Sequence, residues 1–381
     1  MSNAGRLRVL RARTEEPDPC RALEVLARAL EAESAQGLLL FCSDQYDLER
    51  LGPAIARAFT APVAACTARG QIGPSGFATG GITGVSLHGD DVSMRTHLLS
   101  PLSLCQSQAT SLARDHAART AARPGSKTFG VLLVDGASMW EDFVAAALYE
   151  ALGDVTLVGG STAATQPAKP AVYFEGRFRH GAAVVALCES RTIAFASFSA
   201  QHFEPSVNRL VITLADPDRR IVYEINGMPA ARAYAKALGV AEADLDTQHF
   251  ACNPLLLDLG DQLLARAIRG RAADGSLQLA GAIEEGLVVS IAQPGDPLAT
   301  LRRALADVER RVPRPEALLV FDSSLRRLEL ETRGLDRQVG QLLAEHRAIG
   351  FNSYGEQLGP LHTNHTLTGL ALGSAHAREA R

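Results

Sequence analysis

Long apolar segments are missing from this sequence of 381 residues, although hydrophobic residues make up 46% of it. The longest apolar runs, such as 182–187, have the length of a single strand, whereas a helix that spans a bilayer needs about 20 apolar residues. The basic N-terminus is not followed by an apolar stretch, so we predict no signal peptide. We therefore expect a cytoplasmic protein without a membrane partner.

Paired cysteines and an excess of one charge are also missing. The six cysteines are scattered, and no two form a Cys-x-x-Cys motif, so neither a zinc ribbon nor a redox dithiol is indicated. In a chain of this length we expect them to be reduced and mostly buried. The formal net charge of −4 at pH 7 does not favour nucleic acid, so we predict no nucleic-acid partner.

A strand–helix–strand pattern occurs twice in the first half of the chain and is partly echoed near its end. In each unit a short apolar run precedes an amphipathic segment at helical spacing and a second apolar run. Adding 94 to Leu39 gives Leu133, and adding 94 to Cys66 gives Gly160, with helices of equal length between them. The predicted units lie at 37–41, 44–59 and 62–66, at 130–134, 138–152 and 155–159, and at 317–321, 334–346 and 348–353.

Two domains are the natural expectation for a chain of this length. The second half begins with a hairpin whose strands lie at 209–214 and 220–225, followed by a helix that starts at Pro229 and is closed by Gly239. Alternating strands and helices predict an α/β, or mixed α+β, fold with mixed sheets. The predicted divisions are an N-terminal arm and helix at 1–34, of which 1–19 are disordered or loosely attached, a first domain at 35–203 and a second at 204–375.

Three stretches together resemble the FIST family. The first is the Gly-rich turn Leu-Val-Gly-Gly-Ser-Thr-Ala at 157–163, and the second is 220–239, which contains Glu-Ile-Asn-Gly-Met-Pro. The third is Gly-Phe-Asn-Ser-Tyr-Gly-Glu-Gln at 350–357, followed by 362–369. The resemblance covers residues 35 to 375 and implies a FIST N-terminal sensory domain followed by a FIST C-terminal domain.

Within that family the chain is most similar to the haem-binding, nitric-oxide-sensing NosP type, through the run at 322–329 and the Tyr-Gly-Glu-Gln segment. This resemblance implies a haem-based sensor that regulates a histidine kinase or a diguanylate cyclase or phosphodiesterase of cyclic-di-GMP signalling. Two residues depart from that type: Ser323 stands where Cys is usual, and Asn253 where His is usual. The alternative is therefore a non-haem FIST sensor of an amino-acid-like ligand.

A haem sensor needs an imidazole or a soft donor for its iron. Of the ten histidines, His202, His249 and His362 are the alternative candidates for a single iron ligand. His202 lies at the predicted domain junction, where small-molecule sites concentrate. His362 and His365 are three residues apart in a strand-like pattern, which sends their side chains to opposite faces, so we expect no two-histidine metal site.

Polar residues at predicted strand ends are candidates for binding a carboxylate or a haem propionate. Ser161 and Thr162 follow two glycines, so their N–H and hydroxyl groups could bind such an anion. The alternative is a tight turn that needs only glycine geometry. Arg69 could clamp the anion, or it could be a solvated surface residue.

Three residues of the second domain could hydrogen-bond a polar ligand: Tyr354, Glu356 and Asn364. A buried glutamate needs partners or a shifted pKa, which makes Glu356 a candidate for function. The alternative is that Gly355 and Glu356 form a turn, while the Asn364 side chain satisfies loop backbone.

Catalysis is the less favoured alternative. Cys66 and Ser161 each end a predicted strand before a glycine-containing turn, as nucleophiles often do. However, Ser161 is not in a Gly-x-Ser-x-Gly elbow, and no nucleotide-binding fingerprint follows a strand. We therefore predict a binding protein rather than a hydrolase or transferase. Its ligand would lie at the domain junction and shift the balance between two domain arrangements.

Overall fold

A computed structural model describes residues 7–165, 167–260 and 262–375. Helices and strands alternate through most of them, which confirms the mixed α/β fold class. In these ranges no helix is both long and apolar enough to cross a membrane. The α-helices are α1 (Pro19–Ala29), α2 (Leu48–Ala58), α3 (Cys105–Ala122), α4 (Glu141–Leu152), α5 (Ala230–Leu238), α6 (Thr247–Cys252), α7 (Pro297–Arg311), α8 (Ser324–Thr332) and α9 (Asp336–Glu345). The strands are β1 (Arg8–Thr14), β2 (Gly37–Ser43), β3 (Val63–Ala68), β4 (Gln71–Gly73), β5 (Gly76–Ala78), β6 (Ile82–His88), β7 (Ser93–Leu99), β8 (Lys127–Val134), β9 (Thr156–Ser161), β10 (Val172–Phe174), β11 (Arg177–Arg179), β12 (Ala183–Ser190), β13 (Ile193–Ala200), β14 (Phe203–Asp216), β15 (Ile221–Ile225), β16 (Met228–Pro229), β17 (Leu255–Asp258), β18 (Leu263–Arg266), β19 (Ile268–Arg271), β20 (Leu277–Leu279), β21 (Val288–Pro294), β22 (Ala317–Ser323), β23 (Ala348–Ser353), β24 (Glu356–Leu358), β25 (Leu361–Thr363) and β26 (Leu367–Ser374).

Three six-stranded sheets share one design. Sheet 1 has the order β1-β6-β2-β3-β10-β11, sheet 2 the order β7-β12-β8-β9-β24-β25, and sheet 3 the order β13-β26-β22-β23-β4-β5. At the centre of each sheet two strands are parallel: β2 with β3, β8 with β9, and β22 with β23. A parallel pair needs a crossover connection, and helices supply it in all three sheets. The late echo in the sequence is therefore a complete third unit.

Each sheet is completed by a hairpin that follows the parallel pair of another sheet. The hairpin β4–β5 leaves sheet 1 and pairs with β23 of sheet 3. The hairpin β24–β25 leaves sheet 3 and pairs with β9 of sheet 2, while β10–β11 leaves sheet 2 and pairs with β3 of sheet 1. This cyclic exchange joins the three sheets into one body with approximate threefold symmetry.

The pairing registers decide which residues of the repeats are equivalent. Cys66 and Gly160 each pair with the first residue of an incoming hairpin, so their predicted equivalence is confirmed. Leu133 pairs with Gly160, whereas Cys66 pairs with Phe41. The predicted equivalence of Leu39 with Leu133 is therefore wrong by two residues, because the connections that carry α2 and α4 differ in length.

The inner faces of the three sheets enclose one apolar core. The Phe351 ring lies between Phe41 and Phe321, with ring centroids 5.1 and 5.7 Å apart. Gly160 faces this cluster, and a Cβ at that position would lie 2.8 Å from Cζ of Phe351. At Gly159 a Cβ would lie 2.0 Å from the carbonyl oxygen of Leu132. Close packing therefore requires both glycines of the Gly-Gly-Ser-Thr turn.

The prediction that residues 1–19 are disordered or loosely attached is wrong for residues 8–14. They form β1, which pairs antiparallel with β6 from Arg8↔His88 to Thr14↔Ile82. Leu7 and Val9 are buried in the central core. The frequent arginines of this segment suggested a solvated arm, but an edge strand tolerates charged side chains on its outer face. Residues 1–6 lie outside the described residues.

Helix α3 had no counterpart among the sequence predictions. It buries Cys105, Ala109 and Leu112, and most of its other residues are polar or small. This stripe is too narrow to give a clear helical period in sequence. The helix packs beside α4 on the outer side of sheet 2.

A fourth sheet contains the predicted hairpin β14–β15 and has the order β18-β17-β21-β14-β15-β20-β19. Helix α5 ends at Gly239, whose φ of 76° supports the predicted glycine cap. The chain enters this part at Phe203, next to the predicted boundary, and returns at α7 to the three-sheet body. The predicted second domain, 204–375, is therefore divided among the fourth sheet, sheet 3 and the hairpin that completes sheet 2.

Candidate functional site

A cavity of about 1060 Å³ lies between the three-sheet body and the fourth sheet. The body contributes residues that follow β3 and β9, together with residues of β22, α8 and β23. The segment that forms the fourth sheet contributes Thr247, Arg269 and Ala280. The cavity thus lies at the junction where the sequence predicted a ligand.

The carboxyl ends of neighbouring strands form the floor of the cavity. The parallel register places Asp322 of β22 beside Asn352 of β23. The backbone N–H of Asn352 donates to the carbonyl oxygen of Gly70, at 2.8 Å, so the turn after β3 lies next to these strand ends. Parallel strands end at the same edge of a sheet, which brings Ser323 and Asn352 together. The pairing of β4 with β23 adds Arg69 to the same wall, although the three residues are far apart in sequence.

The cavity wall is strongly cationic. Arg69, Lys169, Arg269 and Arg327 line it, and Glu331 is the one acidic residue of the wall among the described residues. The Arg327 guanidinium binds the Glu331 carboxylate at 2.7 Å and stacks on the Phe77 ring, with Cζ 4.1 Å from the centroid. The other three cations have no carboxylate partner among the described residues, so the wall keeps an excess of positive charge.

Arg269 and Tyr354 form a contact across the junction. The Arg269 guanidinium lies over the Tyr354 ring, with Cζ 5.1 Å from the centroid, and donates to the carbonyl oxygen of Gly136 at 3.1 Å. The Tyr354 hydroxyl donates to the carbonyl oxygen of Ala164 at 2.6 Å. A residue of the fourth sheet is thereby held against two loops of the body.

Of the predicted polar ligand residues, Arg69 and Tyr354 line the cavity, whereas Ser161 and Thr162 are buried behind it. The Ser161 hydroxyl accepts a hydrogen bond from Nε2 of Gln357 at 2.9 Å. Strand β24 covers this turn, because its hairpin follows β23 of sheet 3 in the chain but pairs in sheet 2, where Gln357 lies opposite Gly159. The geometry therefore corresponds to the packed turn, the alternative stated above.

Glu356 and Asn364 also lie away from the cavity wall. The Asn364 side chain donates to the carbonyl oxygen of Thr363 at 3.0 Å and accepts from the Ala267 N–H at 3.3 Å. The Glu356 carboxyl group binds Ser353 Oγ at 2.7 Å and Thr366 Oγ1 at 2.6 Å. Burial raises the pKa of Glu356 to about 8, against the lowering by these hydrogen bonds.

None of the three candidate iron ligands lines the cavity. The His202 imidazole binds the buried Glu329 carboxylate at 2.8 Å, and burial lowers the pKa of His202. His249 forms a capping box with Asp246 at the start of α6. His362 Nδ1 lies 3.2 Å from Nε2 of Gln357. His365, at φ 53°, makes an edge-to-face ring contact with Phe203. His362 and His365 therefore have separate surroundings.

Nε2 of His362 lacks a partner among the described residues and lies near two carboxylates, those of Glu141 and Asp142. Their ligand atoms are close enough to hold a metal. However, Nη2 of Arg220 lies 2.8 Å from the Glu141 carboxylate and 2.9 Å from that of Asp142. The guanidinium already supplies the positive charge that a metal ion would bring.

Haem does not fit this cavity as the described residues form it. Its wall has no imidazole, thiol or thioether, and these groups are the common axial ligands of haem iron. The one phenol on the wall, Tyr354, donates to Ala164. Four cations suit anionic groups better than the broad apolar face of a porphyrin.

Haem reconstitution gives a direct test of this misfit. We expect a broad, weak Soret band, because no axial ligand reaches the cavity. His202→Ala and His362→Ala should leave the band unchanged in an absorption spectrum. A sharp band that shifts with nitric oxide and disappears in one of the two variants would contradict this expectation.

Several residues of the wall were missed by sequence reasoning: Lys169, Arg269, Arg327 and Asn352. Arg269 sits on a strand of the fourth sheet with no distinctive neighbours. Ser323 was noted only as a departure from a family pattern, although a strand that ends in Asp-Ser-Ser before a helix is a recognisable signal for an N-cap. Charge alone could not distinguish these residues from solvated surface arginines and lysines.

A cavity formed between two parts of one chain, with polar groups converging from both, is typical of proteins that bind small ligands. The chain belongs to the FIST family: the FIST N domain matches residues 36–228, and the FIST C domain matches residues 230–359. These domains are consistent with a signal-transduction sensor that binds a small ligand. No curated protein matches the chain.

Proposed function

We propose that this FIST protein senses a small anionic ligand, which binds in the cavity between the three-sheet body and the fourth sheet. The observation that carries the proposal is the cationic wall: Arg69, Lys169 and Arg269 face the cavity without carboxylate partners among the described residues. Unpaired arginines in a concave site are suited to binding carboxylate or phosphate groups. Of the two ligands that the family resemblance implied, an amino-acid-like ligand, which carries a carboxylate, fits this wall better than haem.

The signal would arise because both parts of the chain contribute to one site. Arg269 comes from the fourth sheet, whereas Arg69 comes from the body. An anion that contacts both favours the arrangement in which they are close together, and it shifts the population by its difference in affinity between arrangements. A histidine kinase or a cyclic-di-GMP enzyme would read the resulting surface.

The positions of Cys66 and Ser161, the two candidate nucleophiles, favour binding without turnover. The Cys66 side chain lies in the apolar core, and burial raises the pKa of its thiol well above the usual value. A thiol that keeps its proton is a poor nucleophile. The Ser161 hydroxyl is fully buried and bound by Gln357, so neither group reaches a ligand in the cavity.

Loss of Arg69 or Arg269 should weaken anion binding by at least about tenfold each, since a hydrogen bond to a charged group is worth about 1.5–3 kcal/mol. The measurement is a thermal-shift and calorimetric titration with L-glutamate, citrate and inorganic phosphate at low ionic strength. A ligand bound only by the folded state raises the melting temperature. The variants are Arg69→Ala and Arg269→Ala.

Arg303→Ala is the matched control, because Arg303 is an exposed arginine of α7 away from the cavity. It should bind the same probes as the unchanged protein. If none of the three anions stabilises the unchanged protein, or if the control loses as much affinity as the cavity variants, the proposed function is wrong.

A further inference from the structure

The threefold repeat permits a comparison of three equivalent strand ends. Strands β2, β8 and β22 are the first strands of the three parallel pairs. Ser43 and Ser323 are the last residues of β2 and β22, and Asp135, which directly follows β8, is the matching residue of the third pair. Ser43 Oγ accepts from the N–H of Gln45 at 3.3 Å, and the Asp135 carboxylate accepts from the N–H of Ala137 at 2.9 Å. Ser323 makes no such bond, although it precedes a regular helix.

Ser323 is a nearly buried residue of the cavity wall whose side chain lacks a partner. It is only 2% exposed and lines the cavity. Its hydroxyl has no hydrogen-bond partner among residues 7–165, 167–260 and 262–375. In the other two repeats the equivalent side chain caps its own loop, so this one repeat leaves the group available to a ligand.

Helix α8 adds backbone donors to this hydroxyl. It begins at Ser324 and has nine residues, and no side chain caps its N-terminus. The first N–H groups of a helix have no acceptor within it, and the helix dipole makes this end favourable for anions. Ser323, Ser324 and Leu325 all line the cavity, so the first residues of α8 and the residue before them border the same space.

The charges around this end favour a dianion. Asp322 precedes Ser323, but its buried carboxylate is held by Arg326 at 2.6 Å. On the cavity side, Arg69 and Lys169 have no carboxylate partner among the described residues. A phosphate monoester offers three terminal oxygens and close to two charges, whereas a carboxylate offers two oxygens and one charge. Several backbone donors beside a hydroxyl and cations suit the phosphate.

We propose that the N-terminus of α8, with Ser323 as its cap residue, is a phosphate subsite, so that the sensed ligand is a phosphorylated small molecule. The inference rests on the proposed function and narrows it to one class of anion. The rest of the ligand extends past the Tyr354 ring toward the fourth sheet, where Arg269 and Ala280 line the cavity.

Inorganic phosphate is the probe. Its binding is measured by phosphorus NMR line broadening and by thermal shift of the full chain, with L-glutamate as the carboxylate comparison. Ser323→Ala should weaken phosphate binding about tenfold, the effect of losing one hydrogen bond to a charged group. Ser323→Asp should abolish it, because the new carboxylate caps α8 and repels the anion. Since Asp is a good N-cap, that variant should melt no lower than the unchanged protein, which separates binding from folding.

Ser43→Ala is the control, since it removes the equivalent hydroxyl from sheet 1 and should leave phosphate binding unchanged. Phosphate binding that persists in both Ser323 variants would overturn the subsite. Stabilisation by L-glutamate but not by phosphate would also overturn it, while leaving the anion-sensing function intact. If phosphate, L-glutamate and citrate all fail to bind the unchanged protein, the proposed function fails together with the subsite.

Discussion

Replacing Arg220 by methionine should destabilise the protein by about 3–5 kcal/mol, the usual cost of leaving a buried charge without its partner. The Arg220 guanidinium, which is 4% exposed, donates to the carboxylates of Glu141 and Asp142. It also donates to the carbonyl oxygens of Met139 and Ala280. The bonds to Met139, Glu141 and Asp142 join the fourth sheet to the start of α4 in the body, so the loss should appear as a lower free energy of unfolding in urea.

A paired variant separates the ion pair from simple loss of packing. Glu141→Gln combined with Arg220→Met should recover part of the stability, because the double variant has no unpaired charge at the Glu141 position. Arg219→Ala is the control, since Arg219 is exposed and only its backbone is bonded nearby. If Arg220→Met lowers the free energy of unfolding by less than about 1 kcal/mol, within the range of a surface ion pair, the Arg220 contacts do not stabilise the junction between the fourth sheet and the body.

Glu356 should make the stability of the protein fall as the pH rises from about 4.5 toward about 8. Its pKa is raised from 4.5 to about 8, chiefly by burial. In this window the folded state holds a proton that the unfolded state has released, so the stabilising contribution is complete below pH 4.5 and is lost as the pH passes through about 8. The slope is about 1.4 kcal/mol per pH unit for one proton.

Urea denaturation of the unchanged protein and of Glu356→Gln, repeated across this window, measures the effect. The amide has nearly the shape of the neutral acid and does not titrate, so the difference in unfolding free energy between the two proteins should change with pH by about that slope. Glu284→Gln, at an exposed glutamate, should follow the unchanged protein. Parallel curves for Glu356→Gln and the unchanged protein would show that Glu356 does not hold a proton on folding.

Both predictions concern buried polar groups behind the cavity, and they bear on the sensor mechanism. Arg220 and Arg269 both come from the fourth sheet and both contact the body. A ligand that moves the fourth sheet must therefore work against the Arg220 contacts. Weakening them should also alter ligand affinity, in the direction set by which arrangement the ligand prefers.

The sequence by itself determined the repeated strand–helix–strand units, the hairpin of the fourth sheet and the glycine that ends α5. These features depend on the spacing of apolar residues and on local turn chemistry, which neighbouring residues decide. The family was also readable from three local stretches. The predicted equivalence of Leu39 with Leu133 was wrong, because the spacing of the repeat does not reveal how the paired strands are aligned when their connections differ in length.

Only the tertiary structure decided which polar residues face the ligand. Ser161, Thr162 and Asn352 all lie at strand ends beside an incoming hairpin, but Gln357 of β24 binds the Ser161 hydroxyl, and of the three only Asn352 lines the cavity. Arg269 and Ser323 meet there although they are distant in sequence. The exchange of hairpins and the return of the chain to sheet 3 are long-range pairings, and no local pattern of residues specifies the partner of a strand edge.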